Sequence, residues 1–275
     1  PWSDYRRDVA PWSSGFVPPR TPLGRAAWRV ADLAEEARRR RGKKRDDAMR
    51  AQLGLPLRER GGPTLSTELV LVATYPQLEY DLPRPPAVEV TGPMFYERPH
   101  EDAELPPGDD PLVLVAASIG LDRRHSLLGA ALDGLAGEPV RVLASVNEPG
   151  ARWEGEVPSN ARVVDWISYA QVLPQAAAVI TRGGHGTIVR ALADGVPVLA
   201  CPAGGDQAEN ATRVAWAGAG LMVPRALVRP APLSWAVRRL LSEPGFRLRA
   251  AELGRWARDN DGAERGADLL EMTFA

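Results

Sequence analysis

The sequence contains few of the residues that metal sites, disulfides and histidine chemistry require. It has one cysteine, Cys201, and three histidines among 275 residues. A single cysteine excludes a disulfide within the chain and a cysteine-based metal site, and it fits a reducing cytoplasm. We also expect no bound metal ion and no bound organic cofactor.

An excess of charge of one sign and long apolar runs are also missing. The formal net charge is −1, so nothing in the composition predicts a nucleic-acid partner. No apolar run approaches the ~20 residues of a membrane span, and the chain does not open with the charged and apolar regions of a signal peptide. With 44% hydrophobic and 25% charged residues, we expect a globular, cytoplasmic protein.

One local charge run stands apart from this balance. The stretch "RRRRGKKR" covers Arg38 to Arg45 and has acidic residues on both sides. A solvated helix face or a loop is the favoured interpretation, and an anionic partner is the alternative.

The first part of the chain is poor in strands. Residues 1–24 are rich in Pro, Ser and Gly and are predicted to form a loop. Helices are predicted at Leu23 to Arg41 and Asp46 to Leu53, and strands at Glu68 to Thr74 and Ala87 to Gly92. Two strands and two helices are too few to form a parallel sheet with both of its faces covered by helices. Residues 1–96 are therefore expected either to pack on the rest of the chain or to be the back half of a domain whose front is absent.

A linker separates this part from a region of different texture. Residues 97–110 are polar and rich in proline, which is typical of a linker. Residues 111–275 then alternate five or six nearly pure apolar strands with helices. Such alternation predicts parallel β/α units and a doubly wound α/β domain.

A glycine-rich turn, "TRGGHGT", joins one of these strands to a helix expected to begin near Thr187. The carboxyl edge of a parallel sheet is where open α/β folds bind ligands, and helix N-termini suit phosphate. Three glycines would let a ligand approach the backbone, Arg182 would grip phosphate oxygens, and His185 would donate a hydrogen bond or pack. A tight turn without a ligand is the alternative, because the P-loop and dinucleotide-binding spacings are absent. The glycines are Gly183, Gly184 and Gly186.

A second turn, "CPAGGDQAEN", repeats the design after the next strand. Asp206 and Gln207 stand side by side at a predicted helix start, and their acceptors and donors suit sugar hydroxyl groups. Asp206 with Glu209 also matches a capping box, which is the structural alternative for Asp206. Two adjacent helix N-termini, one for phosphate and one for hydroxyls, fit a sugar attached to a diphosphate.

Two further residues end strands at the same predicted edge. Trp166 could stack on a flat base while backbone groups near Ile167 read the base edge, or it could be an ordinary core aromatic. Ser118 follows the first strand of the domain and is either a phosphate contact or a plain turn serine.

The stretch from "DWISYAQVLP" through "ITRGGHGTIVRALADGVPVLACPAGGDQAEN" resembles the nucleotide-sugar-binding domain of the GT-B fold, family 1 glycosyltransferases, the UDP-glycosyltransferase and macrolide glycosyltransferase group. The segment "LVLVATYPQLEYDLPRPPAVEVTGPMFYE" is similar to the last strands of the acceptor domain of that family. The resemblance implies a GT-B fold. It also implies inverting, metal-independent transfer of a sugar from a UDP- or dTDP-sugar to a small, often apolar acceptor.

By this resemblance Trp166 would stack on uracil or thymine, residues 182–187 would hold the diphosphate, and Asp206 and Gln207 would bind the donor sugar. Ser118 would lie near the phosphates. Arg182 departs from the family, which usually has histidine there, and "WISY" stands where the family has "W-x-P-Q".

The family's general base is a histidine after the first strand of the acceptor domain. None of His100, His125 and His185 matches that position, so the catalytic residues stay unassigned. The chain is expected to lack the first part of that domain, or to need a second chain.

Three readings therefore stay open: a glycosyltransferase, a non-catalytic nucleotide-sugar-binding module, and a GT-B enzyme of another class such as a 2-epimerase. A metal-binding D-x-D reading of Asp259 to Asp261 is disfavoured because this triplet lies between helices.

Overall fold

The computed structural model describes residues 15–57, 66, 68–81, 84–97, 103–117, 126–146, 150 and 152–275, and gives the backbone alone for Glu35 and Arg39. Ser118, His100 and His125 lie outside the described residues, as does the stretch 1–14. None of the described helices is long and apolar enough to cross a membrane.

The described part of the chain opens with one long helix, α1 (Pro22–Gln52), where two helices were predicted. Thr21 caps its start by accepting from the Gly24 N–H at 3.1 Å, and Pro22 occupies the first turn. Gly54 follows the helix end at φ 66°, the left-handed position that glycine favours. The predicted break was wrong because no proline interrupts the run, and Gly42 alone costs a helix only about 1 kcal/mol. The basic run therefore lies on this helix.

Two short strands follow, β1 (Val70–Val72) and β2 (Val88–Val90), and they pair in parallel. The second and larger sheet has six parallel strands in the order β5-β4-β3-β6-β7-β8. Its members are β3 (Leu112–Ala116), β4 (Arg141–Ser145), β5 (Ala161–Val164), β6 (Ala176–Thr181), β7 (Val198–Ala200) and β8 (Gly220–Met222). This is the doubly wound order that the sequence predicted for residues 111–275.

Helices cover both faces of the larger sheet, in the arrangement that parallel sheets require. The helices after β3 are α2 (Ser126–Leu135), α3 (Tyr169–Val172), α4 (His185–Ala193), α5 (Gln207–Trp216), α6 (Pro230–Ser242), α7 (Pro244–Asp259) and α8 (Gly262–Phe274), of which α8 packs on the two-stranded sheet instead. All five residues of β3 are buried. Leu112 and Leu114 join the core cluster on one face, while Val113 and Val115 join the cluster on the other.

The residues before the linker pack directly on the larger domain. Tyr75 is fully buried, donates its hydroxyl to the Val189 carbonyl at 3.0 Å and packs on Trp256 with ring centroids 5.8 Å apart. Leu78 belongs to the same core cluster as the face of β3 that carries Leu112. The described residues of this part therefore pack on the rest of the chain, and the expectation that they are the back half of a domain stays a prediction.

The C-terminal helix returns to the two-stranded sheet. In α8, Gly266 lies against Leu71 and Met94, and a Cβ on Gly262 would collide with the carbonyl group of Gly92. Asp261 caps this helix by accepting from the N–H groups of Ala263 and Glu264. Asp261 therefore has a structural role in the triplet considered above as a D-x-D motif.

Cys201 follows β7 and is fully buried, and burial raises the pKa of its thiol to about 12. Because the thiolate is the reactive form, the native protein is expected to show no reaction with a disulfide reagent at pH 8. One thiol equivalent should appear when guanidinium unfolds the chain. Rapid labelling of the native protein would contradict the buried position.

Candidate functional site

The carboxyl ends of β3 and β6 form the switch point of the sheet. From β3 the chain crosses to β4 on one side, and from β6 it continues to β7 on the other, and open α/β folds bind their ligands in the crevice at such a point. The β6–α4 turn and the β7–α5 turn both start at this edge. Trp166 follows β5 at the same edge, two strands away from β3.

The β6–α4 turn places a helix N-terminus at the crevice. Helix α4 begins at His185, two residues earlier than expected, with Gly184 at the N-cap and no side-chain cap. Gly183 has φ 86°, and its N–H donates to Thr181 Oγ1 at 3.3 Å. A Cβ on Gly184 or Gly186 would meet no atom of the described residues within 4 Å, so these residues leave the space beside the two glycines open to a ligand.

Thr187, near which this helix was expected to begin, lies in its first turn and does not cap it. Its hydroxyl group lies 3.2 Å from the hydroxyl group of Tyr169 instead. This contact joins α4 to the short helix α3 that follows Trp166. The base and phosphate parts of the predicted site are therefore connected through two side chains.

Arg182 points into the protein. It is 2% exposed and donates to Ser126 Oγ at 2.9 Å and to the Cys201 carbonyl at 3.5 Å. The guanidinium thus connects the start of α2 with the end of β7 behind the turn. The predicted phosphate contact stays a prediction, and the observed geometry gives Arg182 a supporting position.

His185 lies on the side of the turn that faces the first part of the chain. Its Nε2 is 2.8 Å from the Ala73 carbonyl oxygen. A carbonyl only accepts, so Nε2 carries the hydrogen in this contact. Ala73 follows β1, and the contact therefore joins the glycine-rich turn to the two-stranded sheet.

The second turn is braced from within. Gln207 is 6% exposed, and its Oε1 accepts from the N–H groups of Ala203 at 2.9 Å and Gly204 at 3.3 Å. Asp206 makes no capping hydrogen bond, and Glu209 does not reach back to it. The capping-box alternative is therefore wrong. Asp206 is half-buried at the helix start.

Asn210 holds the two turns together, and sequence reasoning did not assign it a role. Its Nδ2 donates to the Gly183 carbonyl at 3.0 Å and to Asp206 Oδ2 at 3.0 Å. The one available signal was its position four residues after Asp206, which places both side chains on the same side of a helix. The structure thus brings the predicted phosphate turn and the predicted sugar residues into direct contact.

Asp165 organises the loop that carries Trp166. Its Oδ1 accepts from the Trp166 N–H at 2.8 Å and its Oδ2 accepts from the Gly150 N–H at 2.8 Å. The indole is partly exposed, whereas the Ile167 side chain is 1% exposed in the core. Of Ile167, only the backbone could meet a base, as the sequence interpretation required.

Two arginines, one on α5 and one on α4, connect the site to glutamates of the first part of the chain, Glu79 and Glu97. Arg213 on α5 pairs with Glu209 at 2.9 Å and lies 3.6 Å from Glu79. Arg190 on α4 pairs with Glu97, whose carboxylate also accepts from the Tyr169 N–H at 2.7 Å. Glu97 thus docks the start of the predicted linker on the larger domain.

The larger domain matches a known family. Residues 131–263 match the C-terminal domain of the family described as erythromycin biosynthesis protein CIII-like. Over 279 aligned residues the chain is 33% identical to 4'-demethylrebeccamycin synthase of Lentzea aerocolonigenes, covering 96% of this chain and 65% of that protein. The chain thus spans just under two thirds of the length of this curated relative.

Solved structures agree with the fold. The crystal structure of the glycotransferase of kitacinnamycin aligns with a TM-score of 0.69 and 26% identity, covering 93% of this chain and 64% of that one. Glycosyltransferase VinC, solved in complex with dTDP, aligns with a TM-score of 0.52 and 27% identity over 59% of this chain and 41% of that one. From these matches and the six-stranded sheet, the chain has the GT-B fold and is similar to the family 1, macrolide-type glycosyltransferases.

Proposed function

We propose that this chain carries the donor site of an enzyme that transfers a hexose from a UDP- or dTDP-sugar to a hydroxyl group of a small, apolar acceptor. Transfer would invert the anomeric carbon and need no metal ion. The observation that carries the proposal is the junction of the two glycine-rich turns, where Asn210 bonds to both Gly183 and Asp206. The dTDP bound to the related VinC supports a pyrimidine nucleotide.

Each part of the junction has a chemical task in this proposal. The α4 N-terminus, open beside Gly184 and Gly186, would hold the diphosphate and stabilise the charge that develops on it as the anomeric C–O bond breaks. Asp206 would accept hydrogen bonds from sugar hydroxyls, and Trp166 would stack on the base. Arg182 and Gln207 would keep the two turns in shape from behind.

The acceptor must lose a proton when its oxygen attacks, and a general base contributes about 10²–10⁴ in rate. Among the described residues the one histidine, His185, already uses Nε2 on the Ala73 carbonyl. This observation favours a second candidate function, a nucleotide-sugar-binding module that does not transfer sugar.

Calorimetric titration with UDP, dTDP and ADP tests the donor site. The wild-type chain is expected to bind the pyrimidine nucleotides in preference to ADP. Trp166→Ala should weaken UDP binding by about tenfold or more, because stacking on an aromatic ring contributes about 1–3 kcal/mol per base. Product formation from a UDP-sugar would then separate the enzyme from the binding module.

Trp235→Ala is the matched control, because Trp235 is an exposed tryptophan on α6, outside the turns of the proposed site. It should leave UDP binding unchanged. A folded wild-type chain that binds none of the three nucleotides would refute the donor site, as would equal losses in the two tryptophan variants.

A further inference from the structure

Helix α5 contacts the first described residue, Gly15, through both its backbone N–H and its backbone carbonyl group. The Gly15 N–H donates to Glu209 Oε1 at 3.0 Å, and the Gly15 carbonyl oxygen lies 2.8 Å from Thr212 Oγ1, whose one hydrogen it shares with the Ala208 carbonyl oxygen, also 2.8 Å away. These partners lie 194 and 197 positions further along the chain. We call this pair of hydrogen bonds the Gly15 clamp.

The clamp is a fitted contact. Glu209 is 1% exposed and Thr212 is 6% exposed, so both side chains are committed to the interior. Gly15 has φ 64°, and a Cβ there would lie 3.0 Å from Thr212 Oγ1 and 3.1 Å from the Ala208 carbonyl oxygen. Only glycine combines this backbone conformation with such close approach to a helix.

The clamp lies close to the proposed sugar residues. Glu209 and Thr212 come three and six residues after Asp206, which corresponds to about 5 and 9 Å along a helix axis at 1.5 Å per residue. Further along the segment, the Arg20 guanidinium lies 5.2 Å from the ring centre of Trp216, the last residue of α5. Residues 15–20 therefore run along α5 from its first turns to its end.

Two apolar side chains follow the clamped glycine. Phe16 is 40% exposed and Val17 is 44% exposed. A segment that keeps such side chains at the surface, beside a sugar site, offers an apolar wall to a substrate.

We propose that Glu209 and Thr212 are positioning residues for the acceptor. They fix the apolar segment 15–20 to the same helix that presents Asp206 to the donor sugar, so one rigid element sets the distance between the two substrates. Effective molarity depends on such alignment, and small displacements reduce it strongly. The inference rests on the proposed function, because it needs a donor sugar at Asp206 and an apolar acceptor.

Thr212→Val and Thr212→Ser form the test pair. Valine keeps the branched shape and removes the hydroxyl group that bonds to Gly15, whereas serine keeps that hydroxyl group. The two measurements are steady-state transfer from UDP-glucose to 4-methylumbelliferone, a planar apolar probe with one hydroxyl group, and amide hydrogen exchange of the peptide that contains residues 15–20.

In Thr212→Val we expect the acceptor KM to rise by about 2- to 10-fold, the range that corresponds to one lost hydrogen bond. Exchange in the peptide should accelerate. The UDP dissociation constant and the rate of donor hydrolysis by water should stay within about twofold of wild type, because neither uses the acceptor. Thr212→Ser should behave as wild type in every measurement. Phe16→Ala, a change at an exposed side chain, should raise the acceptor KM even if the valine variant does not fold.

The outcomes separate this inference from the function on which it rests. Faster exchange in the valine variant with an unchanged acceptor KM would refute the positioning role alone, and unchanged exchange would refute the clamp. If the UDP dissociation constant of Thr212→Val rose as much as its acceptor KM, Thr212 would act at the donor site, and the positioning role would again be refuted. A wild-type chain that binds UDP and transfers no sugar would refute the proposed function, and this proposal with it.

Discussion

Replacement of Arg213 by methionine is expected to lower the free energy of unfolding by about 3–5 kcal/mol, because it leaves buried carboxylates without their counter-charge. The Arg213 side chain is 6% exposed, and those of Glu79 and Glu209 are 7% and 1% exposed. Its guanidinium also lies over the ring of Tyr80, 4.7 Å from the ring centre. Because methionine fills much of the space of the arginine side chain, the lower free energy of unfolding should come chiefly from the missing positive charge. Urea unfolding of the purified variant measures it.

Arg239→Met is the matched control. Arg239 also pairs with a glutamate four residues away, Glu243, and also lies over an aromatic ring, that of Trp235 at 5.0 Å. Its side chain is 37% exposed and that of its partner is 45% exposed, so water solvates both charges after the change. We therefore expect an unfolding midpoint close to that of wild type.

The charge argument predicts a rescue. Adding Glu79→Gln and Glu209→Gln to the Arg213 variant removes the uncompensated charges, and glutamine at position 209 keeps an oxygen for the Gly15 N–H. Most of the lost stability should return. Equal destabilisation by the Arg213 and Arg239 changes, or no rescue by the two glutamines, would contradict the buried ion cluster as the cause.

Gly183→Ala is the second change with a large expected effect. A residue with a Cβ is disfavoured at φ 86°, at a cost of about 1–3 kcal/mol. The new methyl group would also lie 2.9 Å from the Gln207 backbone oxygen, so one turn must move away from the other. We expect lower stability together with a loss of UDP binding of tenfold or more, measured by urea unfolding and by calorimetry.

Gly184→Ala, one residue later, separates scaffold from ligand contact. Gly184 has φ −61°, and the added methyl group would meet no described atom within 4 Å, so the free energy of unfolding should fall by no more than about 1 kcal/mol, the usual disadvantage of alanine at an N-cap. If the open space holds phosphate, the variant should nevertheless lose UDP binding. Wild-type stability of Gly183→Ala would refute the crowded turn, and full UDP binding by Gly184→Ala would refute the phosphate position.

The architecture of the larger domain was predictable from sequence because each strand is a short apolar run between helical patterns. β3 shows why this works: with both faces covered, all five residues can be apolar, which leaves a strong signal. Residues 1–96 show no such alternation of apolar strands and helices. The long helix α1 was divided in the prediction because the run of basic residues around Gly42 masks its apolar spacing.

The turns of the candidate site were predictable in kind but not in detail. Three glycines and a helix start can be read from local sequence, and they do lie together at the sheet edge. The direction of Arg182 cannot be read in this way, because it depends on Ser126 and Cys201, which come from other elements.

Contacts across long sequence separations escaped prediction altogether. Arg213 and Glu79 are 134 positions apart by their residue numbers, and neither belongs to a motif. Their partnership depends on how the first part of the chain lies on α5. The sequence predicted a helix at α5, and local sequence could not indicate that a guanidinium of this helix is buried with two carboxylates.

The return of α8 to the two-stranded sheet bears on how this chain can be recombined with others of similar fold. The predicted linker at residues 97–110 suggests a single place to exchange one half for another, yet Gly262 and Gly266 pack against residues that come before it. Suppose that residues after the linker were replaced by those of another protein. The last helix of the hybrid would then come from that protein, and Gly92 and Leu71 would pack against a helix with which they did not evolve. A hybrid that keeps this packing therefore needs a second junction near Asn260, so that α8 and residues 1–96 come from the same protein.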